Sequence, residues 1–474
     1  MGWIVLLAAV FVPIVGSLLL PFAGKISARL RNALALIFVG VSFLCTVALL
    51  PQAIGNPIRF SVSLPLGLSF GFLADGLAVF MAMVSSFVGA IIVFYSFTYI
   101  SHYKNQNEYF LMVVLFIGAM MGLVYSTNII FIYVFWEISA VCCWRLIGFF
   151  REKEHVLRAD KAFLITMFGA LVMLLGFLLI YQQTGTFNIE DMKGAKLPDM
   201  AVLLILVGLL SKSATLPLHT WLPDAGVAPS PVTSLLHAAV LVKIGVYAFA
   251  RFFLLSFVVG DVWHTVVPII AATSALVSAG AAILETDLKR IIAYSTVSQI
   301  GFIFLGLSTG SAMGAAGGLL YIMMHSLAKG GLFLCAGVVE QNTHTKDIRK
   351  LGGLIKTMPV TAVAFLMCSF SVMGIPPFGG FFSKYMVIGG AVNAGQPWVA
   401  AAFIVGAVMT VIYLLRAFAS VFMGEANTPA QEGSKAMVAS VALLAALSLA
   451  GGLLIIFPST FAQNIAAQMV VMFK

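Results

Sequence analysis

The sequence has very few charged residues for its length. Asp, Glu, Lys and Arg make up 9% of the 474 residues, whereas a soluble domain carries about a quarter. Only 17 residues are acidic, against 26 Lys and Arg, which leaves a formal net charge of +9. Hydrophobic residues reach 61% and the mean hydropathy is +1.08. This composition excludes an ordinary soluble domain and indicates an integral membrane protein.

Motifs for catalysis and cofactor binding are also missing. The sequence has no P-loop, no dinucleotide fingerprint, no CxxC cluster and no paired histidines for haem. The few cysteines lie in apolar runs at spacings that fit neither zinc nor an iron–sulfur cluster, so we interpret them as packing thiols. They are Cys45, Cys142, Cys143, Cys335 and Cys368. We therefore predict no cofactor in this chain, and no capacity of its own to oxidise a donor or hydrolyse ATP. An aromatic-basic module for nucleic acid is absent as well.

Long apolar runs occupy almost the whole chain. A helical span needs about 20 apolar residues, and the alternating segments of a membrane β-barrel are not evident. The first run has no basic n-region and no clear cleavage site, so we interpret it as a retained span. The sequence predicts an all-α polytopic membrane protein with about fourteen transmembrane helices. Helices 1–14 are predicted at 3–22, 32–50, 75–99, 109–126, 128–149, 161–182, 199–216, 229–255, 262–284, 290–308, 312–339, 359–391, 397–423 and 436–458.

Basic residues are concentrated on one side of this arrangement. The loops that follow odd-numbered helices share one face, here called the basic face. Its basic residues are Lys25, Arg29, Arg31, Lys104, Arg151, Lys153, Arg158, Lys289, Arg290, Lys346, Arg349, Lys350, Lys356 and Lys435. The opposite face has Arg59, Lys193, Lys196 and Lys474. Cytoplasmic loops hold the excess of Lys and Arg, so we predict a cytoplasmic basic face and both termini outside.

Several ionisable residues lie inside the apolar runs. Such a residue at mid-membrane costs about 2.5–3.5 kcal/mol or more, and by default it marks a functional site. The candidates are Glu137 in helix 5, Lys212 in helix 7, Lys243 in helix 8, His325 and Lys329 in helix 11, and Lys384 in helix 12, with His219, His237 and Arg416 as accessory candidates. Three other cations, Arg145, Lys161 and Arg251, lie near helix ends, where long side chains reach water. Lys243 lies too deep for that.

The spacing of these groups predicts a chain for proton transfer. His325 and Lys329 share one helix face as an i,i+4 pair. His237 and Lys243 are about 9 Å apart along the helix axis, a gap that a water or a hydroxyl would bridge. Burial lowers the proton affinity of a lysine and a nearby carboxylate raises it again. The alternative is a set of static buried ion pairs, which the excess of basic residues over one clear acid, Glu137, disfavours.

Two predicted helices are interrupted. Helix 7 runs into LPLHTWLPDAGVAPSP, and helix 12 contains GIPPFGG. Proline removes a backbone donor, and irregular backbone at membrane depth is tolerated where it is buried or lines a wet cavity. Interrupted segments at corresponding places in two halves mark inverted repeats. We predict repeats of helices 4–8 and 9–13, with domains at 1–100, 101–256, 257–425 and 426–474.

Five motifs together resemble one family. They are FWE, LPLHTWLPDA with PSPVTSLLHAA, DLKRIIAYSTVSQIGF, HSLAKGGLFLCAG and GIPPFGGFFSK. The chain is similar to the antiporter-like membrane subunits of Mrp sodium/proton antiporters, respiratory complex I, and membrane-bound hydrogenase or formate hydrogenlyase complexes. The resemblance implies a hydrated axis of charged residues. In it Glu137 and Lys212 form a switchable pair, Lys243 with His325 and Lys329 carries lateral transfer, and Lys384 is the exit.

The resemblance also implies a function and partners. The favoured hypothesis is a proton-translocating subunit of a redox-driven pump in a prokaryotic inner membrane. Its partners would be other membrane subunits and a cytoplasmic iron–sulfur, hydrogenase or dehydrogenase arm. One alternative is an Mrp-type antiporter subunit that exchanges protons for sodium without a redox partner. The other is an inactive scaffold, which the retained buried charges disfavour. The stretch PSPVTSLLHAAVLVKIGVY modestly favours the redox-linked branch.

Overall fold

The computed structural model describes residues 2–65, 68–425 and 430–470, so Lys474 lies outside the described residues. We number the helices so that α1–α14 correspond to the predicted spans. They are α1 (Gly2–Ile26), α2 (Ala28–Leu49), α3 (Gly76–Tyr99), α4 (Gln106–Tyr125), α5 (Ile129–Ile147), α6 (Lys153–Thr184), α7 (Asp199–Lys212), α8 (Ser230–Leu254), α9 (Trp263–Leu284), α10 (Leu288–Ser308), α11 (Ala312–Thr343), α12a (Pro359–Met373), α12b (Gly379–Asn393), α13 (Pro397–Phe422), α14 (Lys435–Leu453) and α15 (Ile456–Val470).

Within the described ranges, twelve helices are long and apolar enough to cross a membrane. The two remaining predicted spans are the interrupted ones, whose separate pieces are too short to cross alone. All fourteen predicted spans therefore have counterparts, and the predicted polytopic helical fold is confirmed. The largest difference in bounds is at α6, which begins at Lys153 rather than at residue 161.

Both interruptions lie where the sequence places proline. α7 ends at Lys212, and Ala214 then adopts a left-handed conformation with φ of 51°. The chain continues through Pro217, which has no N–H to offer a helix, into a single helical turn at Trp221–Asp224. α12a ends at Met373, and the residue that follows is again left-handed. It is Gly374, whose φ of 83° suits glycine at a helix C-terminus.

The loops alternate between two faces as predicted. The loop after α4 pairs with the loop after α6 through an isolated bridge between Asn128 and Asn188. On the basic face, the loop after α9 pairs with the loop after α11 through a bridge between Asp287 and Asp347. Consequently α4 begins at the basic face and α9 at the opposite face. The two sets of five helices run in inverted directions, each with its fourth helix interrupted.

A β-hairpin between α2 and α3 was not predicted. Strand β1 (Ile58–Ser63) pairs antiparallel with β2 (Ser69–Ala74). The signal was present, because apolar and polar residues alternate in IRFSVS with the period of a strand. The hairpin packs on α1, where Trp3 stacks on Phe60 with ring centroids 5.9 Å apart. It forms part of the opposite face and contains none of the candidate site residues.

The C-terminal part also differs from the prediction. The span predicted at 436–458 ends at Leu453, and a separate helix, α15, follows. One stripe of α15 is buried at the i, i+3, i+4, i+7 spacing of a helix that packs on one side. It consists of Ala462, Ile465, Ala466 and Met469. α15 packs chiefly against α11, and Phe461 lies 6.2 Å from Phe80 at the start of α3.

Burial divides the helices into a centre and a periphery. α8 is buried along its whole length, and α10 and α11 are nearly so. α6 instead exposes large apolar side chains, including Leu164, Phe168 and Leu171. Surface of this kind is unusual on a soluble monomer and suits a lipid or protein contact. Two of these buried helices, α8 and α11, carry four of the nine candidate residues: His237, Lys243, His325 and Lys329.

The alternation of the loops gives a topology prediction. Lys193 on the opposite face and Arg349 on the basic face are both exposed. In whole cells, an impermeant maleimide is expected to label the Lys193→Cys variant and not the Arg349→Cys variant, because the basic face is predicted to be cytoplasmic. Wild type provides the background, since only Cys45 among the native thiols is not buried. The reverse labelling pattern would overturn this orientation.

Candidate proton-transfer site

Helix α8 departs from regular α-helix around His237. Residues Leu235–Ala239 form a π turn, in which the Val240 N–H bonds to the Leu235 carbonyl at 3.0 Å. π turns inside α-helices are frequent at functional sites. Here the Lys243 ammonium reaches back and donates to the His237 carbonyl at 2.9 Å. The lysine thus contacts the backbone of His237 and not its ring, so the expected gap between the two side chains is not closed by a direct hydrogen bond.

Lys243 of α8 meets His325 of α11 in the centre of the fold. The distance from Lys243 Nζ to His325 Nδ1 is 2.7 Å, and both side chains are fully buried. An ammonium has only donors, so a protonated Lys243 requires Nδ1 to accept. His325 Nε2 has no hydrogen-bond partner in the described structure. One nitrogen of the imidazole therefore contacts the lysine. The other has no hydrogen-bond partner in the described structure and can take or release a proton.

Lys329 lies one helical turn beyond His325 on the same face of α11. Its Nζ donates to Ser295 Oγ of α10 at 2.6 Å and to the Ile292 carbonyl at 3.2 Å. Ser295 Oγ in turn lies 2.7 Å from the Tyr413 hydroxyl of α13. His325 and Lys329 thus lie one turn apart on α11. Lys329 also connects this face of the helix to a group of hydroxyls on α10 and α13.

This group of hydroxyls and one amide was missed by sequence reasoning. We call it the α10–α13 network, and its members are Ser295, Gln299, Tyr321, Thr410 and Tyr413. All are fully buried in the described structure. Two spacings could have revealed it: Ser295 and Gln299 are an i,i+4 pair on α10, and Tyr321 lies one turn before His325 on α11.

Lys384 occupies an aromatic pocket on α12b. Its Nζ donates to the Val372 carbonyl at 2.7 Å. It also lies 4.4 Å from the ring centroid of Phe302 and 5.7 Å from that of Tyr321. Ring faces attract a cation, more strongly when it is desolvated. The Lys384 amine is therefore held in a buried aromatic pocket beside the α10–α13 network.

Glu137 and Lys212 are neighbours without a direct hydrogen bond. Lys212 Nζ donates to the Trp136 carbonyl at 3.1 Å and lies 5.3 Å from the Trp136 ring centroid. The ammonium thus contacts the residue before Glu137. Neither carboxylate oxygen of Glu137 has a hydrogen-bond partner among the described residues. Asn128 fixes this geometry by capping α5, where its side chain accepts from the Ile130 N–H at 2.9 Å.

The three accessory candidates lie in different environments. His237 is fully buried, 4.3 Å from the Phe333 ring, and neither of its ring nitrogens has a hydrogen-bond partner in the described chain. It lies on the same helix as Lys243. His219 is half-buried in the connection after α7. Arg416 donates to the Ala282 and Glu285 carbonyls at 3.2 and 2.5 Å, and so secures the end of α9.

The three cations near helix ends are all paired with acids. Arg145 pairs with Glu108, Lys161 with Asp224 at 2.7 Å, and Arg251 with Asp75 at 2.5 Å. Sequence reasoning expected such residues to extend towards water. The structure instead gives each a fixed partner, which makes them structural cations rather than members of the transfer chain.

Asp224 anchors the cations of the basic face. Besides Lys161, it accepts from Arg158 at 3.1 Å and Arg290 at 2.7 Å, and so joins α6 to α10 below the interruption of α7. Burial raises the pKa of this carboxyl, but hydrogen bonds from Lys161 and Arg290 outweigh it and leave the pKa below its usual value. Asp224 therefore stays ionised at neutral pH and holds the connection between α7 and α8 in place.

A polar cavity opens at the basic face. Its volume is about 460 Å³, enough to hold several waters. It is lined by Tyr99, His102, Tyr103, Phe150, Ala228, Pro229, Lys289, Glu340, Gln341 and His344. Lys289 Nζ pairs with Glu340 Oε2 at 2.7 Å, and Ser230 Oγ donates to that oxygen at 3.0 Å. Because Ser230 begins α8, the cavity reaches the helix that carries His237 and Lys243.

The arrangement is suited to moving protons. In the described part of the chain, no three His, Cys, Asp or Glu side chains converge as metal ligands. Lys243 is in hydrogen-bond contact with His325, and Lys329, one helical turn further along α11, is in contact with the α10–α13 network, against which Lys384 lies. Amines and imidazoles separated by hydrogen-bond distances can exchange protons without a cofactor.

Two family models match the chain. The model described as "NADH:quinone oxidoreductase/Mrp antiporter, TM" covers residues 126–410, which is more than half of the sequence. The model described as "NADH-Ubiquinone oxidoreductase (complex I), chain 5 N-terminus" covers residues 61–110. Together the matched ranges contain every candidate residue except Arg416.

Curated relatives are named as components of sodium/proton antiporters. The chain is 32% identical to the A subunit of a Na(+)/H(+) antiporter from Alkalihalophilus pseudofirmus, over 97% of this chain and 61% of that protein. It is 30% identical to the A1 subunit of a Na(+)/H(+) antiporter from Staphylococcus aureus, over 95% of this chain and 60% of that protein. The chain therefore spans about three fifths of the length of these relatives.

Solved structures share the fold over nearly the whole chain. The Mrp complex from Dietzia sp. aligns with a TM-score of 0.90 at 24% identity, covering 98% of this chain and 97% of that one. Respiratory complex I from Thermus thermophilus aligns with a TM-score of 0.87 at 25% identity, covering 99% and 100%. An archaeal membrane-bound sulfane sulfur reductase aligns with a TM-score of 0.89 at 23% identity, covering 98% of each chain.

Proposed function

We infer that this chain, which belongs to the family of NADH:quinone oxidoreductase and Mrp antiporter membrane subunits, translocates protons through its buried lysines and histidines. The observation that carries the proposal is the 2.7 Å contact between Lys243 Nζ and His325 Nδ1. Two basic groups at this distance cannot both be protonated without strong repulsion. The pair therefore holds at most one added proton, which either nitrogen can carry.

The proposed path runs from the basic face to the opposite face. Protons enter through the polar cavity at Glu340 and Ser230 and follow α8 to His237 and Lys243. The Lys243–His325 contact passes them to Lys329 on α11. Lys384 releases them, because α12b leads from the interruption at mid-membrane to the opposite face. Glu137 and Lys212 lie on the other side of α8 and modulate the path by charge.

Sodium/proton exchange within a multi-subunit membrane complex is the activity that we propose for the whole assembly. Relatives at 30–32% identity are named as A or A1 subunits of Na(+)/H(+) antiporters and align over nearly all of this chain. The partners would be further membrane subunits, which could pack on the exposed apolar side chains of α6. In this scheme sodium entry or exit supplies the free energy for proton movement.

A redox-driven proton pump is the second candidate. The chain aligns over its whole length with a component of Thermus thermophilus complex I at 25% identity, and PSPVTSLLHAAVLVKIGVY favours that branch. In this scheme a cytoplasmic iron–sulfur, hydrogenase or dehydrogenase arm would supply the free energy. The buried path itself would work in the same way.

One experiment separates the two candidates. Everted membrane vesicles from cells that express the intact complex are loaded with a pH-sensitive dye. An antiporter is expected to collapse an imposed pH gradient on addition of sodium chloride without any electron donor. A redox-driven pump would build a gradient on addition of hydrogen or NADH and would not respond to sodium. The protein composition of the complex after purification in mild detergent provides an independent check.

A substitution at the proposed exit tests the requirement for a titratable group. Lys384→Glu is expected to lower the rate of proton transport but leave it measurable, because a carboxylate also takes and releases protons. Lys384→Gln, which has a similar length and cannot titrate, serves as the matched comparison. If the two variants transport equally well in everted vesicles, Lys384 does not handle the proton.

A further inference from the structure

The α10–α13 network is continuous in hydrogen bonds but contains one residue unlike the rest. A series of hydrogen bonds begins at the Lys329 amine and continues through the hydroxyls of Ser295, Tyr413 and Thr410. Gln299 then joins them to Tyr321, whose ring faces Lys384. A carboxamide therefore stands between the hydroxyls that reach Lys329 and the aromatic pocket that holds Lys384.

The Lys329 ammonium determines the direction in which each hydroxyl of the network donates its hydrogen. The Lys329 ammonium can only donate, so Ser295 Oγ accepts from it and directs its own hydrogen towards Tyr413. Tyr413 donates to Thr410 Oγ1 at 3.3 Å, and Thr410 donates to the Gly406 carbonyl at 2.7 Å. The chain of hydroxyls thus points away from Lys329 and ends on a backbone carbonyl, which cannot pass a proton on.

Both the nitrogen and the oxygen of the Gln299 amide form hydrogen bonds in this network. Its Nε2 donates to Thr410 Oγ1 at 3.2 Å and to the Tyr413 hydroxyl at 3.3 Å. Its Oε1 accepts from the Tyr321 hydroxyl at 2.6 Å. A hydroxyl relays a proton because one oxygen both accepts and releases it, whereas a neutral amide accepts on oxygen and donates from nitrogen without titrating. The conclusion is the same if the amide is flipped.

We propose that Gln299 is an insulating residue that blocks proton transfer between Lys329 and Lys384 in this conformation, an inference that rests on the proposed function. A transporter whose proton path was open to both faces of the membrane at the same time would leak protons. Here Lys329 belongs to the side of the path that reaches the polar cavity, and Lys384 to the exit. Transfer between them requires the amide to move and water to replace it, so the motion of Gln299 sets when the exit receives a proton.

The test measures passive proton leak. Everted vesicles containing the full complex are acid-jumped without sodium or electron donor, with the membrane voltage clamped by potassium and valinomycin. Gln299→Glu keeps the size of the side chain but adds a titratable group, so leak is expected to rise severalfold above wild type. Gln182→Glu, the same change at an exposed position near the end of α6, is the matched control and should match wild type.

Two further variants fix the origin of the leak. Gln299→Met cannot titrate, so it is expected to leak no more than wild type. Adding Lys243→Ala to Gln299→Glu should return leak to the wild-type level, because the path to Lys329 is then cut. A Gln299→Glu leak at wild-type level, a leak that survives Lys243→Ala, or an equally raised leak in Gln299→Met would each overturn the proposal.

The outcomes keep the two proposals distinct. If Lys243→Ala alone transports normally, the proposed function fails and the insulating role fails with it. If Lys243→Ala is inactive and assembled Gln299→Glu leaks no more than wild type, only the role of Gln299 is lost. Assembly is checked for every variant by the protein composition of the purified complex.

Discussion

Lys243→Ala is expected to abolish proton transport while the protein remains in its complex. The substitution removes the amine that joins the His237 carbonyl on α8 to His325 on α11. No other hydrogen bond between the described side chains links α8 to His325. Loss of a proton-transfer group typically slows a reaction by about 10²–10⁴-fold, which would put residual transport below detection in everted vesicles.

Two comparisons make this result specific. Lys243→His restores a titratable nitrogen at the same place, so part of the transport should return even though the reach is shorter. Lys356→Ala removes an exposed lysine on the basic face and should leave the rate unchanged. Normal sodium-dependent or donor-dependent proton movement in assembled Lys243→Ala vesicles would show that protons take another route.

The sequence allowed the fold and the charged residues to be predicted because both depend on local composition. A lysine inside an apolar run is visible without a structure, since its cost in a bilayer follows from its depth in the run. Likewise, the prolines and glycines of GIPPFGG disrupt a helix wherever they lie. Lys384 and the interruption of helix 12 were predictable for these reasons.

Contacts between helices were not predictable in the same way. The Lys243–His325 distance depends on a π turn at Leu235–Ala239, and its residues LLHAA have no distinctive composition. Tyr413 and Gln299 are polar residues of ordinary kinds in membrane helices. Their importance appears only when α10, α11 and α13 come together. Sequence periodicity gives the face of one helix, but not which face of another it meets.

The environment of Glu137 shows where a sequence-based expectation needs refinement. A switchable pair with Lys212 suggested a close ion pair. In the structure the ammonium donates to the Trp136 carbonyl, and both oxygens of Glu137 lack hydrogen-bond partners in the described chain. Any coupling between the two side chains in this structure is therefore electrostatic and does not use a shared hydrogen bond.

Glu137→Gln is expected to leave assembly intact and to stop or uncouple transport. The substitution keeps the shape of the side chain, and no hydrogen bond to the carboxylate from a described residue is broken. Lys212 keeps its bond to the Trp136 carbonyl, so its ammonium is not left without a partner. What is lost is the negative charge that favours protonated Lys212. Glu152→Gln, the same change at an exposed position on the basic face, is the matched control and should transport normally.

The double variant Glu137→Gln/Lys212→Met distinguishes a working pair from a structural one. A structural ion pair destabilises the protein when one partner is removed, by about 3–5 kcal/mol when buried, and replacing both partners restores stability. Under that hypothesis the single variant would assemble poorly, and the double variant would recover both assembly and transport. We expect instead that both variants assemble and that neither transports, because the single variant lacks the carboxylate charge and the double variant lacks both charges that modulate the path. The measurements are the protein composition of the complex in mild detergent and proton movement in everted vesicles. Recovery of transport in the double variant would rule out a role for this pair in moving protons.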